Sequence, residues 1–255
     1  MVISHLHRYL YVEVPRTGSS AISRELRENY DGEQILRKHA SYRDFMREAT
    51  PDEQTYFTFS GVRNPLDVAV TRYVHIKQNS KDHFTDAHHV RIRNSLASRL
   101  ERRIYAWMQE TNADFETFLR RWYFLPWDTW TSLDHRRMDL VIRFESLADD
   151  FATAIQRIGL EPVRPLPVVN ATPGKDRDFA SYYTPAARKR AAWVFGPYME
   201  EWGYTFPPEW GTVRVPWWSR VLMRQVRFVR GVYWRYFRFG DYVKKGRRYL
   251  PKPGV

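Results

Sequence analysis

The sequence contains no cysteine and no long apolar run. Without cysteine, the chain can form no disulfide, no zinc–thiolate site and no cysteine nucleophile. Apolar residues nowhere continue for the roughly 18 positions that a bilayer-spanning helix needs, so we expect no such helix. The first residues also lack a basic segment followed by an apolar segment and a cleavage site. We therefore expect no signal peptide and a cytoplasmic protein.

Acidic residues are almost missing from the last part of the chain. Residues 213–255 contain twelve Lys and Arg against one acid, Asp241, so this segment carries +11 of the net charge of +12. The rest of the chain is close to neutral. The length of the chain and its share of hydrophobic residues suffice for one packed domain. We predict an α/β domain over 1–212 and a basic, aromatic tail over 213–255.

What is present is an alternation of strand patterns with helical ones. Strands are predicted over 8–14, 56–62 and 139–144, and a helix start follows each of them. Ser19 or Ser20 is expected near the first N-cap. The other predicted caps are Asn64 before Pro65, Ser146 with Asp149 at capping-box distance, and Thr184 before Pro185. This order predicts an α/β fold: a P-loop-like parallel sheet flanked by helices, with a basic amphipathic helix as a C-terminal extension.

The loop "PRTGSS", residues 15–20, follows the first predicted strand. Ligands of parallel α/β sheets bind at this edge, where the next helix offers unpaired N–H groups and the positive end of its dipole. The loop adds hydroxyls, a glycine and a cation: Thr17, Ser19, Ser20, Gly18 and Arg16. It predicts a phosphate cradle, with a well-capped turn as the alternative. A kinase-like triphosphate site is disfavoured, because no Gly-Lys-Ser/Thr is present.

A second motif, "VRNPLDVAVTRY", follows the second predicted strand. Arg63 lies at the strand end and Thr71 lies about two turns into the next helix. A guanidinium and a hydroxyl in this arrangement can bind a second phosphate. A surface arginine and a helix-surface threonine are the alternatives.

The ordered pair "VPRTGSS" and "VRNPLDVAVTRY" resembles the 5′-phosphosulfate loop and the 3′-phosphate motif of sulfotransferases that use 3′-phosphoadenosine 5′-phosphosulfate (PAPS), closest to the carbohydrate and bacterial branch. The resemblance extends to "VIRFESLADDFATAIQRIGL" and "NATPGKDRDFASYYTPAARKRAAWVFGPYMEEWGYTF", and covers roughly residues 8–206. The family usually carries lysine where Arg16 stands and serine where Thr71 stands.

The resemblance implies transfer of a sulfuryl group from PAPS, as co-substrate, to a hydroxyl of a carbohydrate or glycolipid, without a metal. The implied PAPS-binding residues are Arg16, Thr17, Gly18, Ser19, Ser20, Arg63, Thr71, Lys175 and Arg177. Arg16 is also a candidate catalytic group, since it can stabilise the leaving phosphate. For Lys175 and Arg177, a solvated loop is an equal alternative.

His39, in "LRKHASYRDF", is the candidate base, because histidine titrates near neutral pH and the resembled branch has a similar Lys-His stretch. A surface or capping histidine is the alternative. Glu145 is a second candidate base, although an ion pair at a strand end is the favoured interpretation. "DHFTDAHH" is interpreted as a polar loop and not as a metal site, because no further ligands have suitable spacing.

The tail over 217–239 predicts a helix with six arginines on one side and aromatic and aliphatic residues on the other. This pattern is typical of interfacial helices, so we predict an anionic membrane surface as partner and a peripheral position on the inner face of the membrane. Nucleic acid is the less favoured partner. A helix packed on the domain or on a second subunit remains open, and with it a homo-oligomer. The alternative function is a catalytically inactive sulfotransferase-fold module that binds membrane or polyanion through this tail.

Overall fold

The computed structural model describes residues 1–92, 96–129, 137–167 and 178–236. The chain divides into two compact units that alternate along the sequence. Unit 1 comprises Met1–Arg63, Thr129–Asn170 and Arg227–Val255, and unit 2 comprises Asn64–Asp128 and Ala171–Val226. This division reflects packing. The division after residue 212, which rests on charge, stays a prediction.

Unit 1 contains a five-stranded sheet with the strand order β3-β1-β2-β4-β5. The strands are β1 (Val2–Ser4), β2 (Tyr9–Val12), β3 (Glu33–Gln34), β4 (Phe57–Val62) and β5 (Leu140–Arg143). β2, β4 and β5 run parallel, whereas β1 pairs antiparallel with both β2 and β3. The α/β prediction is confirmed, but the sheet is mixed. The prediction of a parallel sheet is wrong for β1 and β3, because a tight turn folds β1 back on β2. Histidines in that turn hide the strand pattern of β1 in the sequence.

The described part of the chain contains nine α-helices. They are α1 (Ser19–Asn29), α2 (Tyr42–Glu48), α3 (Pro65–Lys77), α4 (Ala87–Ile92), α5 (Leu96–Thr111), α6 (Phe115–Trp122), α7 (Leu147–Arg157), α8 (Pro185–Glu201) and α9 (Trp217–Tyr236). None of these helices is long and apolar enough to cross a membrane. The predicted tail helix is present as α9, and residues 237–239 of that prediction lie outside the described residues.

β2 is the buried centre of unit 1. Tyr9 and Tyr11 pack on one face of the sheet with side chains of α1 and α7, whereas Leu10 and Val12 pack on the other face with side chains near α2. Apolar residues at consecutive positions are expected when a strand is covered on both faces. Helices on both faces of the sheet therefore hold β2 in place, and with it the loop that follows this strand.

Two predicted helix caps are confirmed with their side-chain hydrogen bonds, and a third is confirmed only in its position. The Asn64 side chain accepts a hydrogen bond from the Leu66 N–H at 3.0 Å, and the Thr184 side chain accepts one from Ala187. Ser146 is the N-cap residue of α7, as predicted, but its side chain makes no cap hydrogen bond, so the capping box with Asp149 is not formed. A 3-10 turn over Phe144–Ser146 precedes α7, and Asp150 instead accepts from the Arg143 N–H at 2.7 Å.

Unit 2 is helical and has an aromatic core. Phe115 and Phe118 of α6 pack with Tyr73 of α3 and Phe195 of α8. Tyr183 is buried among them, with its ring centroid 4.8 Å from that of Phe115 and its hydroxyl donating to the Leu66 carbonyl at 2.9 Å. The aromatic residues of this part of the sequence thus serve mainly in packing.

Candidate functional site

The loop after β2 leads directly into α1. Gly18 is the N-cap of α1 and adopts the left-handed conformation, with φ 75° and ψ 9°. Its carbonyl accepts from Ala21 and Ile22 at 3.0 and 3.3 Å. Ser19 and Ser20 thus lie next to the N-cap, as predicted, but the cap itself is Gly18, and no side chain caps this helix start. The first N–H groups of a helix have no acceptor within the helix, so they form a local site for an anion.

Two glycines allow the loop to pack closely on its surroundings. A Cβ atom at Gly18 would lie 2.5 Å from Cδ2 of Leu147, the first residue of α7. A Cβ atom at Gly61, in β4, would lie 2.7 Å from Oγ1 of Thr17. The sequence carried a signal for this contact, because a glycine inside a strand pattern often marks a close approach of another chain segment.

The hydroxyls of the loop differ in what they do. Thr17 is 2% exposed, and its Oγ1 donates to the Val14 carbonyl at 3.0 Å. The proton of Thr17 is thus committed to the turn in this state. Ser19 is also buried, whereas Ser20 is half-buried and its Oγ accepts a hydrogen bond from Lys38.

Lys38 is the residue that sequence reasoning missed, since it was considered only as the neighbour of His39. Its Nζ donates to Ser20 Oγ at 3.0 Å, which brings an ammonium group to the first turn of α1. A compact cation at this end of a helix adds to the positive end of the dipole and needs a nearby anion. The signal in the sequence was a lysine beside the candidate base.

His39 lies beside the same loop. Its Nδ1 is 3.1 Å from the Glu13 carbonyl oxygen. Because a carbonyl only accepts, we assign the proton to Nδ1, which leaves the lone pair of the neutral ring on Nε2. Burial lowers the pKa of His39, while the hydrogen bond to Glu13 opposes this shift. The imidazole is therefore neutral at pH 7, as a base must be.

Glu13 follows β2 directly and holds the end of this strand in place. Its carboxylate is buried, lies 2.8 Å from the Met1 ammonium and accepts from Gln34 Nε2 at 3.0 Å. Burial favours a higher pKa for Glu13, but the ammonium and the hydrogen bonds outweigh it and lower the pKa. Glu13 thus stays ionised, and its backbone carbonyl is held where it orients His39.

Two candidate catalytic residues have unusual backbone conformations. Arg16 has φ 68° and His39 has φ 62°, both in the left-handed region. For a residue other than glycine, this conformation costs about 1–2 kcal/mol. Such strain persists where the surrounding structure enforces it, and it is concentrated at functional sites. Six further described residues other than glycine also have positive φ, among them Arg8 and Leu36, so this conformation alone does not mark the site.

Arg63 reaches the loop from the end of β4. It is 9% exposed, and its Nη1 donates to the Arg16 carbonyl at 3.1 Å. Its guanidinium carbon lies 3.9 Å from the ring centroid of Phe144. The alternative of a surface arginine is therefore wrong, since a ring and a loop carbonyl hold this cation in place.

The other predicted site residues are not brought to the loop by the described contacts. Thr71 lies in α3 of unit 2 and is 4% exposed, so it is not a helix-surface residue, and its role stays a prediction. Lys175 and Arg177 lie outside the described residues. Glu145 is exposed in the turn before α7. Among the described residues, no group of three or more metal-ligating side chains lies together.

No protein-family model, no curated protein and no solved structure matches this chain. The resemblance to sulfotransferases therefore rests on the motif residues themselves. Within unit 1, four of them lie around one helix start: Arg16, Ser20, His39 and Arg63.

Proposed function

We propose that the protein transfers a sulfuryl group from PAPS to a hydroxyl of a carbohydrate or glycolipid. The observation that carries this proposal is the convergence of two cations and a neutral histidine on one loop. Lys38 contacts Ser20, Arg63 contacts the Arg16 carbonyl, and His39 contacts the Glu13 carbonyl. These contacts join the two motifs that resemble the PAPS-binding motifs of sulfotransferases.

In this proposal the 5′-phosphosulfate lies at the N-terminus of α1. The N–H groups of the first turn, the Ser20 hydroxyl and Lys38 bind its oxygens, and Arg16 adds a second cation. Lys38 exchanges its bond with Ser20 for one with the anion. Arg63 binds the 3′-phosphate through its guanidinium. The motifs add Thr71, Lys175 and Arg177 to the binding residues as predictions.

The reaction requires a base and a stabilised leaving group. His39 Nε2 accepts the proton of the acceptor hydroxyl while the acceptor oxygen forms a bond to sulfur. The bond between sulfur and the bridging oxygen of the phosphosulfate breaks, and its electron pair stays on the phosphate of 3′-phosphoadenosine 5′-phosphate. Lys38, Arg16 and the helix N-terminus stabilise the charge that develops there. Atoms and charge balance without a metal.

The first test is calorimetric titration of the full-length protein with 3′-phosphoadenosine 5′-phosphate, with AMP and ATP as controls. We expect binding that depends on the 3′-phosphate and that is weakened in Arg63→Ala. Lys189→Ala is the matched control, because Lys189 is an exposed lysine on α8, outside unit 1. Equal binding of all three nucleotides, or no binding, would contradict the proposal.

The second test distinguishes an enzyme from the inactive module. The usual lysine is replaced by Arg16, and the Thr17 hydroxyl bonds to Val14, so loss of activity with retained binding is a specific alternative. Transfer of labelled sulfate from PAPS to a panel of glycans and glycolipids supports the enzyme if His39→Ala abolishes it. Nucleotide binding without transfer to any acceptor supports the module.

A further inference from the structure

The apolar side chains on one side of α9 face solvent. The outer face of α9, as we name it, comprises Trp217, Trp218, Val221, Phe228, Val229 and Tyr233. Trp217 and Phe228 are each 73% exposed, whereas Ser219 and Met223 on the opposite side are 0% and 2% exposed. At about 100° per residue, Trp217, Val221 and Phe228 fall within roughly 40° of one another. Trp218 also contacts Trp193, with ring centroids 5.4 Å apart, but contacts among the described residues leave Trp217 and Phe228 largely exposed.

The arginines of α9 do not form one outward set. Arg220 pairs with Glu200 through bonds of 2.8 and 2.7 Å, and Arg230 donates to the Thr129 carbonyl at 2.9 Å. Arg224 is exposed at the border of the outer face and has no partner among the residues that the structure describes. The structure thus separates arginines that hold the helix from an arginine that points outward.

We propose that the outer face of α9 inserts into the headgroup region of an anionic lipid bilayer. Tryptophan and phenylalanine on one face, with cations at the border, are typical of helices that lie in the plane of a membrane interface. Residues 213–255 carry a net charge of +11, which attracts anionic headgroups. Arg224 projects within about 40° of Trp217 and Phe228, so we expect its long side chain to extend back to the lipid phosphates when these rings are inserted.

Two other occupants fit these observations less well. Single-stranded nucleic acid requires a row of cations along the aromatic surface, but Arg220 and Arg230 are already held by protein groups. A second copy of the chain would bring two segments of +11 together, and their repulsion opposes pairing. An anionic bilayer satisfies both the charge and the apolar row.

The test is flotation of the full-length protein with vesicles of phosphatidylcholine, alone or mixed with phosphatidylserine. We expect binding to the mixed vesicles, weakened at least about tenfold in the double variant Trp217→Gln, Phe228→Gln. Phe124→Gln is the matched control, because Phe124 is 65% exposed and lies outside α9. Arg224→Gln is expected to weaken binding roughly fivefold, since one cation near the surface is lost.

Three results would overturn this proposal. They are unchanged vesicle affinity in the double variant, equal binding to neutral and anionic vesicles, and a variant that loses affinity for a single-stranded oligonucleotide while it keeps vesicle binding. Circular dichroism checks folding, and Phe228→Gln alone replaces the double variant where that variant unfolds. Binding of 3′-phosphoadenosine 5′-phosphate is expected to be unchanged in all these variants, so this proposal and the proposed function can fail separately.

Discussion

The loop at the start of α1 and the outer face of α9 both carry cations, but they hold them differently. At the loop, Lys38 is bonded to Ser20, and Arg63 is fixed between the Arg16 carbonyl and the ring of Phe144. On α9, the outward cation Arg224 is exposed beside side chains that are largely in solvent.

This difference indicates different ligands. A cation held between two protein groups, as Arg63 is, suits a small anion of defined shape, because this part of the site is organised before the ligand arrives. An exposed apolar row bordered by a solvated arginine suits a fluid surface, which adapts to the protein. The two proposals therefore assign the positive charge of the chain to two ligands, and variants can test each of them separately.

The largest expected effect is that of His39→Ala on turnover. Removal of a general base lowers the rate roughly 10²- to 10⁴-fold. The affinity for 3′-phosphoadenosine 5′-phosphate should change little, since His39 contacts the Glu13 carbonyl and not the predicted cations. Steady-state kinetics and calorimetry measure the two quantities, with His88→Ala as the control histidine. Full turnover in His39→Ala would exclude it as the base.

The next largest effect is the loss of ligand affinity in Arg63→Ala and in Arg224→Ala, which we expect to concern different ligands. A hydrogen-bonded charged group contributes about 1.5–3 kcal/mol, so we expect Arg63→Ala to weaken nucleotide binding roughly 10- to 100-fold. Arg224→Ala should leave nucleotide binding unchanged and weaken vesicle binding. Calorimetry and flotation on the same two proteins test this reciprocity. If either variant weakened both ligands, the two regions would not be independent.

A smaller effect is the change in the free energy of unfolding when one glycine of each region is replaced by alanine. Gly18→Ala places a Cβ 2.5 Å from Leu147 at φ +75°, whereas Gly231→Ala, within α9, meets nothing within 4 Å. We expect Gly18→Ala to lower the free energy of unfolding by at least about 1–2 kcal/mol. Gly231→Ala should raise it by roughly 0.5–1 kcal/mol, since alanine favours a helix.

Urea unfolding of both variants measures these changes. Gly159→Ala is the control for the backbone alone, because Gly159 also has a positive φ but has no atom within 4 Å of the added Cβ. A loss in Gly18→Ala no greater than that in Gly159→Ala would show that the contact with Leu147 adjusts without cost.

The parts of the fold that sequence could predict are those with local signals. Asn64 with Pro65 and Thr184 with Pro185 marked the starts of α3 and α8, because their caps act within one turn. β1 was missed, since its pairing with β2 depends on a turn of polar residues. Ser146 is the N-cap residue of α7 as predicted, but its side chain makes no cap hydrogen bond, and a 3-10 turn over Phe144–Ser146 precedes this helix.

The candidate site was predictable in composition but not in its contacts. Arg16, His39 and Arg63 could be selected from motifs, whereas the contact of Lys38 with Ser20 joins residues 18 positions apart. Nothing local in the sequence indicates that Thr17 uses its hydroxyl inside the turn, or that Phe144 covers Arg63. Contacts between distant segments require the fold itself.

The smallest expected effect is a pH dependence of the free energy of unfolding, which arises from His39 beside the loop and not from α9. Burial lowers the pKa of His39 below its ordinary value of 6.5, so the unfolded chain binds this proton more tightly than the folded one. The contribution of His39 to stability is therefore complete above pH 6.5 and is lost as the pH falls through the lowered pKa.

His39→Asn is the variant that isolates this effect, since asparagine tolerates the left-handed conformation and does not titrate. We expect urea unfolding between about pH 5 and 6.5 to show a weaker pH dependence in His39→Asn than in the wild type. Arg224→Gln should follow the wild type, because arginine stays charged throughout this range. Parallel curves for His39→Asn and the wild type would mean that the imidazole is not held neutral by burial, and that its role as base requires another cause.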